Sequence, residues 1–352
     1  MPWPTESVRP DRHGHPPFVC ARNLLMTKSP HTHPVGVMRA VTFTAFGGPE
    51  VLTVGDRPIP EVTAGHVRVR VHAPAVHPLD VVARAGYLGP MVPGGPTYVL
   101  GVDAVGTIDA IGPGVSDFDI GQAVLAMSNW PETKIGTQAE FVVLPVAFIA
   151  PAPAGVAPAA AATLPLNAHT ATQALRILGL KAGDRIAITG AAGAIGGFAV
   201  QLAQLRGLRV VAVAAPEDEP YLTGLGATFV ARGDRPADAV RKAAPGGVDG
   251  LLDAASVGSS VIGAVRDGGS FVAVTPPNSP PSERGIKVGL VQARADGAEL
   301  AELASLVESG RLNLRVARTF PFERVAEAHT MLAKGGFRGG IVLVADQQEA
   351  DL

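Results

Sequence analysis

The alternation of apolar and polar positions changes twice along the chain. Up to about Val37, the prolines Pro2, Pro4, Pro10, Pro16, Pro17, Pro30 and Pro34 punctuate a polar stretch with neither helical nor strand period, which predicts a disordered N-terminal extension over 1–37. From Met38 the period is that of β structure. Met38 to Phe46 and Val51 to Val54 read as strands, and His66-Val67-Arg68-Val69-Arg70-Val71-His72 alternates strictly, as a strand with one buried face does. Runs at Val99 to Ile111, Gln122 to Met127 and Gln138 to Leu144, parted by Gly and Pro, continue a β-rich lobe.

After Leu166 the rhythm becomes helix and strand in turn. A helix around Ala171 to Leu178 leads to the strand Arg185 to Thr189, a glycine turn, a helix to about Leu205 and the strand Leu208 to Ala214, which together spell a parallel crossover unit. The alternation goes on through helix Pro220 to Leu225, strand Ala227 to Val230, helix Ala237 to Ala243, strand Val248 to Leu252, helix Val257 to Val265 and strand Gly269 to Val274. This predicts an α/β doubly wound parallel sheet. A helix at about Gly297 to Glu308 precedes Leu314 to Phe320, a helical opening at Phe322 to Ala328 and an apolar strand Ile341 to Val344.

Composition narrows the function classes. With 29 basic and 31 acidic residues and no long run of either sign, the chain has no electrostatic footprint for nucleic acid or an anionic membrane. Its apolar content is 47% with only 5% aromatics, so Ala, Val, Leu and Ile carry it, as suits buried parallel strands. The most apolar stretch, Ile149 to Leu166, is broken by four prolines and is a poor membrane helix; the expectation is a cytoplasmic protein. The single cysteine, Cys20, can form neither an internal disulfide nor a multi-thiolate zinc site. His13, His15, His31 and His33 read as part of the solvated extension rather than as a metal site, and the opening of the first strand at Met38 leaves open whether 1–37 belongs to the natural protein.

The strongest chemical signal is Gly190-Ala191-Ala192-Gly193-Ala194-Ile195-Gly196, between a strand and an apolar-periodic helix. Small residues there let the backbone approach a pyrophosphate, and the free N–H groups of the helix start stabilise its charge. A β-branched residue at Gly193 is expected both to disfavour the turn and to fill that space. At the end of the next strand, where a carboxylate would hold a free ribose 2′-hydroxyl, stands Ala214-Ala215-Pro216, with Arg232 available as a cation after the third strand. This favours NADPH, with NADH as the alternative. Glu217, Asp218 and Glu219 would repel a 2′-phosphate if they faced it. Asp253 and Thr275 end later strands, where ligands of such sheets bind, although capping of the core explains either almost as well.

From Met38 to about Val344 the chain resembles the quinone oxidoreductase (zeta-crystallin-like) branch of the zinc-independent medium-chain dehydrogenases/reductases. The resemblance rests on Met38-Arg39-Ala40-Val41, Gly101-Val102-Asp103-Ala104-Val105-Gly106 with Ile108 and Gly112, Gly121-Gln122-Ala123-Val124, Thr170-Ala171, Leu180-Lys181-Ala182-Gly183-Asp184 and the glycine turn. It implies a GroES-like catalytic domain over 38–160, completed by 311–352, and a Rossmann domain over 161–310. It also implies NADPH-dependent, zinc-independent hydride transfer to quinones or other conjugated carbonyl compounds, and relatives that are often dimers. The zinc ligands of alcohol dehydrogenases are missing: Val76 to Asp80 holds no thiol and Val102 stands at the histidine position, so no metal site is expected. The branch pattern Asn-Pro-x-Asp becomes His77-Pro78-Leu79-Asp80, making His77 a hydrogen-bonded substitute rather than a metal ligand and, with Tyr87, a catalytic candidate. Tyr87 could donate to a developing enolate or simply close a loop; Thr170 resembles a threonine that borders the nicotinamide. The chain departs from the branch at Ala192 and Ala194, which flank one glycine where the pattern often has two, at Thr172 for a tyrosine and at Gly340 for a lysine. Reduction of 2-enoyl thioesters, and cofactor binding without turnover in a sensor or structural protein, are the alternatives.

Overall fold

The computed structural model describes residues 36–344. The expected extension, with its histidines, lies outside these residues apart from Gly36, in a turn, and Val37, which already belongs to the first strand. Strands β1 (Val37–Phe43), β2 (Thr53–Pro58), β3 (His66–Val76) and, after helix α1 (Pro78–Arg84), the short β4 (Tyr98–Val99) open the first lobe. It continues with β5 (Asp103–Ile111), β6 (Ala123–Met127), α2 (Trp130–Thr133), β7 (Phe141–Pro145) and β8 (Ile149–Pro151). In β3 the predicted alternation holds where Val67, Val69 and Val71 are buried, and gives way to burial on both faces over Ala73–Val76 as the strand enters the centre of the lobe. Val51 to Val54 is shifted: Pro49–Val51 forms a 3-10 turn and the strand begins at Thr53, since a proline suits the first turn of a helix.

Helices α3 (Pro158–Ala161) and α4 (Pro165–Leu178) lead into six parallel strands: β9 (Arg185–Thr189), β10 (Arg209–Ala214), β11 (Thr228–Ala231), β12 (Val248–Asp253), β13 (Val265–Ala273) and β14 (Lys287–Leu290). Their order is β11-β10-β9-β12-β13-β14. The direction of winding reverses between β9 and β12, and ligands of such sheets bind at the carboxyl ends there. Between the strands run α5 (Ala194–Leu205), α6 (Glu219–Gly224), α7 (Pro236–Ala243) and α8 (Ser259–Ile262). The helix expected over 257–265 is thus one turn, because Val265 already pairs with Val248. β14 is a strand that the apolar pattern does not predict: its residues are exposed or half-buried at the sheet edge.

The chain returns through α9 (Gly297–Glu308), β15 (Val316–Pro321), α10 (Val325–Lys334) and β16 (Gly340–Val344). β16 lies antiparallel to the end of β3, with Ile341 opposite Val76, so the tail of the chain closes the sheet of the first lobe. His77, the residue after β3, therefore stands where that sheet meets the start of α1. Among the described residues no helix is long and apolar enough to cross a membrane.

Candidate active site

The turn from β9 to α5 has the form a dinucleotide needs. Gly190 has φ +59°, a conformation that favours glycine. Gly196 is required by packing: a Cβ there would fall 2.1 Å from the Gly190 carbonyl oxygen. Gly193 is the N-cap of α5 in extended backbone (φ −75°, ψ −178°), so the expected penalty for a branched residue there is not conformational. A Cβ at 193 would meet only the Gly190 oxygen, at 3.1 Å, with no other atom within 4 Å outside its chain neighbours. The first backbone bond of the helix runs from Gly197 N–H to the Gly193 carbonyl, which leaves the N–H groups of Ala194, Ile195 and Gly196 outside the helical ladder. An open space at Gly193 beside a helix start fits a pyrophosphate. Ala191 and Ala192 are buried beneath the turn.

At the ribose end, Ala214 and Ala215 are buried and offer no carboxylate, while the Arg232 N–H donates to the Ala214 carbonyl and its side chain is exposed. Asp218 and Glu217 do not stand uncompensated. Arg338, from the tail that closes the first lobe, clamps Asp218 with two bonds of 2.7 Å and reaches Glu217 at 3.2 Å. Sequence reading missed Arg338, which lies 120 residues from its partner.

The buried polar centre of the first lobe is built around His77. Its Nε2 lies 2.9 Å from an Asp103 oxygen, and both residues are buried. A carboxylate only accepts, so Nε2 carries the proton. The second Asp103 oxygen accepts the Leu166 N–H at 3.0 Å, and the Leu166 carbonyl accepts the hydroxyl of Thr170 at 2.7 Å. This chain of bonds ties His77 to α4, whose Asn167 lines one small cavity with Gly193, Ala194 and Gly197. α4 is thus the element that the histidine centre and the glycine turn share, the first through Leu166 and the second through Asn167. Asp80, in the first turn of α1, accepts from His77 N–H (2.7 Å), Gly101 N–H (3.1 Å) and Gln138 (3.3 Å) and so fixes the start of the helix. Burial opposes charge on the His77 imidazole, but Asp103, through its charge and its hydrogen bond, and Asp80 together hold its pKa above the ordinary histidine value. Burial pushes the Asp80 carboxyl up to about 6, against the His77 charge and its backbone donors. The His77 side chain also faces the backbone N–H of Asp80, and with the Asp80 carboxylate on the His77 N–H the two residues form a capping box at the start of α1.

The other candidates lie apart from this centre or face inward. Asp253 is fully buried and accepts from Thr189 (2.5 Å), Val257 N–H (3.0 Å) and Gly258 N–H (2.7 Å), so its carboxylate braces the end of β9. Thr275 bonds to Ser256 at 2.6 Å. Tyr87 sits on an outer turn and is 83% exposed. Among the described residues no group of three or more His, Cys, Asp or Glu side chains converges to hold a metal ion.

Two family descriptions match the chain: an alcohol dehydrogenase GroES-like domain over residues 63–154 and a zinc-binding dehydrogenase over 225–343. A chloroplastic NADPH-dependent alkenal/one oxidoreductase of Arabidopsis thaliana is 28% identical over 317 residues, covering 87% of this chain and 79% of that protein. Human quinone oxidoreductase is 28% identical over 331 residues, covering 88% and 98%. A solved structure described as an NAD-dependent alcohol dehydrogenase is 32% identical with a TM-score of 0.76, covering 88% of this chain and 100% of that one. With a GroES-like lobe and a Rossmann sheet, the chain belongs to the quinone oxidoreductase branch of the medium-chain dehydrogenase/reductase superfamily and is an oxidoreductase that uses a nicotinamide cofactor.

Proposed function

We propose that the protein reduces quinones or other conjugated carbonyl compounds with NADPH. One observation carries the substrate class: the buried polar centre at the start of α1 is a histidine already paired with a carboxylate, and among the described residues no set of three or more metal ligands converges. A carbonyl that no cation polarises must spread the arriving negative charge over its own conjugation, as an enone or a quinone does. Three features support NADPH over NADH. No carboxylate ends β10, and the acids that follow it are held by Arg338, while Arg232 is exposed alongside. When bound, the cofactor supplies the hydride; Gly193 and the start of α5 would hold its pyrophosphate.

The test is oxidation of NADPH and NADH by the purified full chain with menadione, phenanthrenequinone, a short-chain enone, an enoyl thioester and, in reverse, a simple alcohol. Turnover with the quinones or the enone, faster with NADPH, is the expected result. Preference for the alcohol or the thioester, or tight NADPH binding with no acceptor reduced, would overturn the reading.

A further inference from the structure

We propose that the cavity between α4, α5 and α9 binds a small aromatic carboxylate, with its ring among the leucines of the wall and its carboxylate on Arg206 and Arg311. The site is separate from that of the cofactor, and the inference does not depend on which acceptor the enzyme reduces.

The cavity has a volume of about 160 Å³. An apolar cavity of about 150 Å³ takes up benzene, so a single six-membered ring fits this one. It lies at the far end of α5 from the glycine turn: Gly193 caps the start of that helix and Arg206 its end, roughly 20 Å away by the rise of a helix. α4 brings only a small residue to the wall, Thr172, at the position where the branch often has a tyrosine, and this leaves the space open.

The wall sets the body of the ligand. Leu202 and Leu205 come from the last turn of α5, and Leu303 and Leu306, three residues apart on one face of α9, complete an apolar lining. Leu205 is 38% exposed, so an apolar occupant gains burial for both partners.

Charge sets the head group. Glu299 is buried and already answered, by Arg176 at 3.2 Å and Gln173 at 3.5 Å on one oxygen. Its other oxygen and the Thr172 hydroxyl are buried without a partner, a sign that the helices do not close fully on one another here. The side chains of Arg206, Arg311 and Glu302, which also line the cavity, make no hydrogen bond or ion pair among the described residues. Two free cations against one free carboxylate leave a net positive charge at the site. Burial and the Arg176 charge pull the Arg206 guanidinium below its ordinary pKa, with Glu299 opposing them, which is the condition of a cation short of an anion. A guanidinium binds a flat carboxylate through paired N–H donors and also stacks on an aromatic ring, so two of them beside leucines favour an aromatic acid over an aliphatic one.

The experiment is ligand-observed NMR with calorimetry on the full chain, using benzoate, benzyl alcohol and benzylamine. Benzoate should bind with a Kd on the order of 0.1–1 mM, as befits so small a ligand, and the neutral and cationic analogues about tenfold more weakly or worse. Saturating NADPH should leave the benzoate Kd unchanged, because the cofactor occupies the other end of α5. R206A and R311A should each weaken benzoate about tenfold, and E302Q should strengthen it by removing a like charge. T172Y fills the space from α4 and should abolish benzoate binding while the Kd for NADPH stays as in the parent. If T172Y fails to fold, L306F narrows the same space from α9 and must weaken benzoate in the same way. No binding of benzoate to the parent, its displacement by NADPH, equal binding of benzylamine, or parent-like binding to a folded T172Y variant would overturn the proposal.

Discussion

Two substitutions three residues apart separate what packs the glycine turn from what leaves it open. In Gly196→Ala the new Cβ stands 2.1 Å from the Gly190 oxygen, 2.7 Å from its carbonyl carbon and 2.9 Å from the Ala191 Cα. Ordinary contact is roughly 3.5 Å, so the start of α5 must lift from the end of β9 by about 1.4 Å. All three obstructing atoms are backbone, and no side-chain rotation relieves them. Overpacking of this kind costs about 1–3 kcal/mol or more. At roughly 2 cal/mol/K of unfolding entropy per residue, each kcal/mol lowers the Tm of a chain of this size by about 1.4 °C, so G196A should melt a few degrees early, and it should also bind NADPH weakly because the helix start is displaced. Gly193→Val should behave otherwise. The backbone there is extended and the Cβ meets one atom at 3.1 Å, so stability should change by less than about 1 kcal/mol. The isopropyl group, however, occupies the space assigned to the pyrophosphate, and the Kd for NADPH should rise at least tenfold, about 1.4 kcal/mol. Thermal melts and fluorescence titration on the two variants decide the matter. A parent-like Tm for G196A refutes the packing argument, and a parent-like Kd for folded G193V refutes the placing of the cofactor.

Arg338→Ala should weaken NADPH binding about tenfold and NADH binding less, since it frees Asp218 and Glu217 to repel a 2′-phosphate; Asp218 is buried, so Tm should fall as well, and equal losses of binding for both cofactors would count against the assignment. His329, fully buried in α10 with neither ring nitrogen bonded, has its pKa pushed down to about 3 by burial and by the nearby Arg84 charge. The unfolded chain takes up this proton near 6.5 and the folded one does not, so the stability His329 confers is complete above 6.5 and is lost at up to about 1.4 kcal/mol per unit as pH falls toward 3. Denaturant titrations across that range should show a slope that H329L reduces; identical slopes in parent and H329L would refute the assignment.

The parts of the molecule legible from sequence are those where neighbours in the chain are neighbours in space. The alternation of β3, the βαβ rhythm after α4 and the glycine turn are local patterns, and each identifies its element. α9 is predicted at Gly297 to Glu308 and found at Gly297–Glu308, because Asp296 caps it by accepting from Ala298 and Glu299. β14 escapes because an edge strand of four half-exposed residues has no apolar run to show. The return of β15 and β16 to the first lobe leaves no mark in the periodicity, and only the family resemblance suggests it.

Candidate chemistry divides along the same line. Asp253 and Tyr87 are visible as residue types at suggestive positions, yet type says nothing of orientation: one is spent on three internal bonds and the other faces outward. The pairs that matter most join distant segments, His77 with Asp103 across 26 positions and Asp218 with Arg338 across 120. Each has a local hint. The replacement of the branch's asparagine by His77 and of the zinc-dependent alcohol dehydrogenases' histidine by Val102 are separate oddities in sequence, but in the fold they border the same Asp103. Such a pair of departures makes sense only together: with the metal-binding histidine gone, Asp103 is a buried carboxylate in need of a donor, and a histidine at 77 provides one while its side chain also caps the start of α1. On that logic Asn at 77 alone should leave a folded protein with a weakened centre, whereas loss of Asp103 alone should lower the His77 pKa, because the carboxylate that raises it is gone.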